Sequence, residues 1–324
     1  MAKLFLLLLL ITHLWANNKN CNFKNKHYQE VCQEAIRNGV SSAYVNEFFT
    51  INLKTKQFDE KSWKYLQPQQ IKSHAKSEKK ANNSLSKYVH EIVNHLIEYK
   101  EVYDYAEQKY GVNREIVATI LMKETRLGKI KLKHDAFSVF HTIVVRTKPD
   151  TKRQKWLLSM GKTNMTNIIT YCYKKGISSS ECNFPSSYAG AVGITQFMPD
   201  SFGYIHAYKA KVGDLTKMED AIVSASNFLN IKAEFKNLIE WNKVPHMPQL
   251  EKEWYVYDSK HKDGSFVHDE SIKTGKKYDC FSCQKSELQY IREYAKKIMR
   301  YNNSSNYAVG VLRLAYDAHH GLNK

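Results

Sequence analysis

The chain has 324 residues, 43% of them hydrophobic, with 49 Lys and Arg against 32 Asp and Glu and a formal charge of +17. Beyond the first sixteen residues no apolar run approaches the roughly 20 residues that cross a bilayer, which excludes a helical membrane-spanning body. Such an excess of positive charge predicts an anionic polymer or surface as partner; it bears on adsorption and leaves the fold open.

Met1–Ala16 places Lys3 before the apolar run Leu4 to Ile11 and finishes on a small residue, which reads as a secretory signal peptide. Asn17 and Asn18 follow, and Cys21 lies too far downstream for a lipid anchor, so cleavage and release is expected rather than an uncleaved amino-terminal anchor. Loss of Lys3 takes the charge from +17 to +16. An exported chain is periplasmic and does not meet nucleic acid, and no transmembrane segment remains after signal removal. All six cysteines (Cys21, Cys32, Cys172, Cys182, Cys280, Cys283) lie beyond the signal, so disulfides are expected. Their clustering as three local pairs favours neighbour-to-neighbour bridges. Cys280 and Cys283 also have the spacing of a redox or zinc half-site, although no second Cys pair accompanies them.

Residues 17–85 are polar and Lys/Asn-rich, with the apolar patch Val45 to Phe49 and an exposed stretch from Lys72 to Lys80, and predict short helices and loops. From Ser86, the apolar and aromatic positions Tyr88, Ile92, His95, Leu96, Tyr99, Tyr103 and Ala106 recur at spacings of three and four, predicting one long amphipathic helix ended by Gly111. A second helix is bracketed by Asn113 as cap and Gly128 as closure, with Ile116, Ile120 and Glu124 four apart on one face. A carboxylate therefore stands on the stripe that faces the core. A surface glutamate at a helix end, beside Lys123 and Arg126, is the plain alternative. If Glu124 is buried, desolvation makes it a proton donor near neutral pH.

Ser186–Pro199 sets Ala189, Gly190, Ala191 and Gly193 in an apolar run, so that a backbone or a sugar can approach closely. A tight packing turn explains the glycines but not the polar Gln196. Trp254 to His268, with Asp263-Gly264 between two aromatic-rich runs, predicts a β-hairpin. Helical periodicity returns over Ser286–Arg300 and Tyr307–Ala318, with Gly321 placed to stop the last helix. The loop Arg300–Ala308 between them is rich in hydrogen-bonding groups and tyrosine.

Three ordered segments, Glu124–Gly128, Ser187–Gly193 continuing to Gln196–Pro199, and Arg300-Tyr301-Asn302, together resemble the membrane-bound lytic murein transglycosylase B family over about Tyr99 to Ala318. The resemblance implies a mainly α fold: a lysozyme-like helical catalytic domain, residues 86–324, with a small β-hairpin insertion near 250–283, following the signal (1–16) and an amino-terminal segment (17–85). It implies Glu124 as catalytic acid/base, Ser187 and Gln196 lining the site, Tyr301 and Asn302 on substrate, and Arg153 as a substrate-facing arginine. Peptidoglycan glycan strands are the implied partner, with cell-wall synthesis or division proteins as further candidates; no cofactor is implied. Leu127 stands where the family often has an aromatic, and Asp200 where it often has a second serine. Some relatives bind calcium after the Gln-Phe-Met-Pro motif, but Ala207–Asp214 offers Asp214 as its only carboxylate. Calcium takes six to eight oxygen ligands, so no metal site is expected.

Ordinary glycosidases use two carboxylates, and no second one stands out near these motifs. The implied route needs only Glu124: it protonates the bond between N-acetylmuramic acid and N-acetylglucosamine, then takes the proton of the muramic 6-hydroxyl, which closes a 1,6-anhydro ring. A hydrolytic lysozyme-type muramidase and a non-catalytic wall-binding protein are the competing readings.

Overall fold

A computed structural model describes residues 21–67, 84–244 and 286–323. In chain order the helices are α1 (Lys26–Arg37), α2 (Ser42–Thr55), α3 (Glu60–Tyr65), α4 (Val89–Glu98), α5 (Lys100–Tyr110), α6 (Arg114–Thr125), α7 (Ala136–Arg146), α8 (Lys152–Lys174), α9 (Met218–Ile231), α10 (Ser286–Ile298) and α11 (Ser305–Leu322). Two short strands, β1 (His134–Asp135) and β2 (Pro185–Ser186), pair antiparallel with His134 opposite Ser186. The mainly helical architecture agrees with the sequence reading. The signal segment, the Lys72–Lys80 stretch, the β-hairpin insertion near 250–283 and the Cys280/Cys283 pair lie outside the described residues.

The chain divides into two compact units, one joining Met1–Gln67 to Leu132–Gly203 and the other Pro68–Lys131 to Tyr204–Lys324. In the first, α8 packs on α7 and α1, and Phe48 and Phe49 of α2 are fully buried against Phe137 of α7. The helix starts follow local chemistry. Asp135 accepts the Ser138 N–H at the head of α7, and Thr151 with Gln154 makes a reciprocal capping box on α8. His141 stacks on Phe137 and Phe58 and meets the Tyr28 hydroxyl at 2.7 Å; burial pushes its imidazole down to about 4. Disulfides Cys21–Cys32 and Cys172–Cys182 fasten this unit, both between sequence neighbours as the clustering predicted.

In the second unit, α6 is the central helix, packed by α11, α4, α9 and α5, and nine of its twelve residues are buried. Two readings are corrected here. The single helix expected from Ser86 to Gly111 is two, α4 and α5, broken at Tyr99 (φ −101°, ψ 27°). At the break His95 stacks on Tyr99 at 4.6 Å and its Nδ1 meets the Tyr103 hydroxyl at 3.1 Å. Gly321 does not stop α11 but lies inside it; a Cβ there would come within 2.9 Å of Val93 Cγ2, so its bareness serves close helix packing. Among the described residues no helix is long and apolar enough to cross a membrane.

Candidate functional site

Glu124 sits in the last turn of α6, and the reason for its placement begins at the other end of the helix. Asn113 occupies the cap position but does not cap with its side chain. Its Nδ2 donates to the Ile239 carbonyl (3.2 Å) and its Oδ1 accepts the Ile239 N–H (2.6 Å), while Glu107 Oε1 takes the Arg114 N–H at 2.9 Å. Asn113 thus latches a distant backbone segment, and a preceding helix supplies the cap. Along the Ile116–Ile120–Glu124 face the two isoleucines are fully buried, and Glu124 emerges half-buried where that stripe ends.

The helix closes abruptly. Arg126 (φ 51°), Leu127 (φ 54°) and Gly128 (φ 78°) are all left-handed, with Arg126 N–H on the Met122 carbonyl (2.9 Å), Leu127 N–H on that of Leu121 (3.1 Å) and Gly128 N–H on Thr125 Oγ1 (3.1 Å). Two consecutive non-glycine residues in this region cost on the order of 1 kcal/mol each. Burial of the Leu127 side chain offsets part of that cost. The expected glycine closure is therefore a three-residue turn that fixes the end of α6 directly behind Glu124.

On the facing helix, Ser304 caps α11 by accepting the Tyr307 N–H (3.2 Å), which sets Tyr307 in the first turn. Its hydroxyl donates to Glu124 Oε1 at 2.7 Å, and its ring is buried. Lys123 Nζ lies 4.9 Å from the centre of that ring. Tyr301, three residues before the cap, packs on Phe228 at 5.0 Å. Burial and then the nearby Glu124 carboxylate push its hydroxyl well above the usual tyrosine range. Glu124 and Tyr301 are thus brought together, while Asn302 is exposed in the same loop.

Ser187, Gln196 and Arg153 belong to the other unit. Ser187 and Gln196 share one tight loop: Ser187 N–H donates to the Ala191 carbonyl (2.8 Å), Ser187 Oγ accepts the Ala191 N–H (3.3 Å), and Gln196 Nε2 donates to the carbonyls of Gly193 (2.9 Å) and Ala191 (3.3 Å). Val192 and Phe197 exchange backbone hydrogen bonds across the turn, with Gln196 left-handed at φ 51°. The polar residue that the packing account left over is therefore a staple of its own loop. Gly190 adopts φ 84° with its α-carbon against Phe140, where a Cβ would fall 2.3 Å from the ring. The Ser62 hydroxyl donates to the Tyr188 carbonyl and fixes α3 to the same loop. Arg153 is exposed in the first turn of α8.

Sequence reasoning missed Tyr307 and Lys123. Tyr307 had a signal: a serine cap three residues ahead places it on the first turn, inside a loop already marked as polar. Lys123 had only its adjacency to Glu124. Asp220 was also missed: its buried carboxylate accepts the N–H of Tyr208 and of Asp214, both at 2.8 Å, while Asp214 Oδ1 takes the N–H and hydroxyl of Thr216. These two carboxylates accept the backbone hydrogen bonds that shape the 206–217 loop. Among the described residues no group of three or more His, Cys, Asp or Glu side chains is arranged to hold a metal.

A family model described as the transglycosylase SLT domain matches residues 23–316. Among solved structures, the lytic transglycosylase Slt35 of Escherichia coli in complex with bulgecin A is similar at a TM-score of 0.62 and 17% identity, covering 93% of this chain and 95% of that one. Soluble lytic transglycosylase SltB1 of Pseudomonas aeruginosa follows at 0.54 and 16%, covering 91% and 99%. SltB3 of the same organism, in complex with NAG-anhNAM-pentapeptide, scores 0.53 at 16%, covering 89% and 77%. No curated protein matches in sequence. At these identities the likeness establishes the fold, that of the lysozyme-like lytic transglycosylases.

Proposed function

The chain belongs to the transglycosylase SLT-domain family and is a lytic transglycosylase, and we propose that it is exported to the periplasm, where it cuts peptidoglycan between N-acetylmuramic acid and N-acetylglucosamine and leaves 1,6-anhydro ends. The observation that carries this reading is the setting of Glu124: a carboxylate at the rigidly closed end of a buried helix, with Oε1 held at 2.7 Å by a buried tyrosine hydroxyl. A general acid must be fixed in place before its proton is useful. With Oε1 accepting from Tyr307, the carboxyl is held in one orientation, from which it delivers a proton to the glycosidic oxygen and the glycosidic bond breaks. The substrate's N-acetyl group then stabilises the cationic sugar, the Glu124 carboxylate recovers a proton from the 6-hydroxyl, and the 6-oxygen closes on C1. One carboxylate serves both steps, and water is not consumed.

Tyr301 and Asn302, in the loop before α11, and Ser187, Gln196 and Arg153 are assigned to substrate. Gln196 shapes its loop through Nε2, and Ser187 presents its hydroxyl from the same turn. The three sequence motifs support placing the chain beside the membrane-bound lytic murein transglycosylase B subfamily. The leader Met1–Ala16 and the two disulfides support export into an oxidising compartment. The SltB3 complex with NAG-anhNAM-pentapeptide supports an anhydro product by analogy of fold.

Digestion of purified peptidoglycan tests the reaction type. Muropeptides ending in 1,6-anhydro-N-acetylmuramic acid are one water lighter than hydrolysed ends and resist borohydride, so mass spectrometry before and after reduction identifies them. Heavier, reducible products would make the enzyme a muramidase. No soluble product from folded protein would leave a wall-binding module.

A further inference from the structure

We propose that Lys123 is a positioning residue for Glu124, acting through the ring of Tyr307. The inference rests on the reading of Glu124 as acid/base. Lys123 is half-buried on α6, and its ammonium lies 4.9 Å from the centre of the Tyr307 ring, whose hydroxyl in turn donates to Glu124 Oε1 at 2.7 Å. The three groups form a short chain: cation, aromatic face, carboxylate. A cation over the ring is attracted to the π-cloud and holds the ring in one orientation. It also draws electron density from the phenol and makes its O–H a stronger donor. The outcome is a hydrogen bond fixed on one oxygen of Glu124, which holds the carboxyl in one orientation. The positive charge also favours the carboxylate over the acid, the form needed for the second half of the reaction.

Other ionisable groups around α6 have different engagements. Tyr301, in the loop before α11, is held neutral by burial and by Glu124 itself. On α6's own end, Arg126 lies 5.4 Å from the ring of Tyr88. From α4, Glu91 is paired with Lys129 at 2.5 Å and His95 is bound to Tyr103 of α5. From α9, Asp220 is bound to loop backbone, and from the far end of α11, His319 meets Glu115 at 2.8 Å. Lys123 is the cation seated on the tyrosine that touches the acid.

The test compares Lys123→Met, Lys123→Arg, Tyr307→Phe, the Lys123→Met/Tyr307→Phe double variant and Glu124→Gln in the mature protein, measuring turnover of purified peptidoglycan against pH alongside thermal melting. Lys123→Met is expected to lower kcat several-fold with little change in KM. The alkaline fall of its activity moves to higher pH, because the acid form of Glu124 then persists longer. Lys123→Arg restores the wild-type profile by keeping the cation over the ring. In the double variant, the kcat losses are less than multiplicative, since both changes break one chain. An unmoved alkaline limb in Lys123→Met, whatever its melting temperature, overturns the proposal, as do fully multiplicative losses. Full turnover by Glu124→Gln overturns the assignment of Glu124 itself and this proposal with it; an inactive Glu124→Gln beside an unmoved Lys123→Met profile overturns the proposal alone.

Discussion

Gly190→Ala separates two physical effects within one loop. The residue has φ 84°, and a Cβ would stand 2.3, 2.8 and 2.9 Å from three ring carbons of Phe140, itself fully buried. Contacts this short are not tolerated, so the ring or the loop must shift. Left-handed backbone strain for alanine costs about 1 kcal/mol, and overpacking a tight core adds about 1–3 kcal/mol, for a total of roughly 2–4 kcal/mol. Gly176 is the internal control, lying in the same unit at φ 68° with nothing within 4 Å of its would-be Cβ. Gly176→Ala should therefore cost only the backbone part. Urea denaturation of both variants should show Gly190→Ala less stable than Gly176→Ala by more than about 1 kcal/mol, and Phe140→Leu should recover part of that difference by giving the Cβ room. Because Ser187 and Gln196 hold the same turn, Gly190→Ala should also lower peptidoglycan turnover, whereas Gly176→Ala should not. Equal stability losses for the two alanines would refute the steric argument, since backbone strain alone would then account for both.

Three further outcomes follow from the same geometry. Glu124→Gln keeps the Tyr307 contact and the fold, so turnover should drop by about 10²–10⁴-fold while the melting temperature barely moves. His95, pushed down to about 4 by burial, stays neutral when folded but takes a proton near 6.5 when unfolded. Its contribution is thus present above pH 6.5 and lost as pH falls towards 4, up to about 3 kcal/mol, and urea midpoints at pH 7 and 4.5 should show this slope shrinking in His95→Gln. The buried Cys172–Cys182 bridge closes a short loop; replacing both cysteines by serine should cost about 3 kcal/mol, read as a lower urea midpoint under non-reducing conditions.

The sequence alone determined the helical class, because the spacing of apolar residues along a helix is a local property: α6 runs where Ile116, Ile120 and Glu124 predicted it. It also favoured the two local disulfide pairs found among the described residues, since chain proximity raises the chance that neighbours meet. The order of three short motifs pointed to the lytic transglycosylases. Contacts between residues far apart in the chain were settled only by folding. Asn113 reads as a cap in any window of ten residues, yet its amide is spent on Ile239, 126 positions away. Tyr307 is an ordinary aromatic at a helix start until α11 lies against α6 and brings its hydroxyl onto Glu124, 183 positions earlier. The union of Met1–Gln67 with Leu132–Gly203 likewise has no local trace, because it depends on which buried faces fit together. Periodicity specifies that a face is buried, and the complementary shape and hydrogen-bonding needs of the whole chain specify against what.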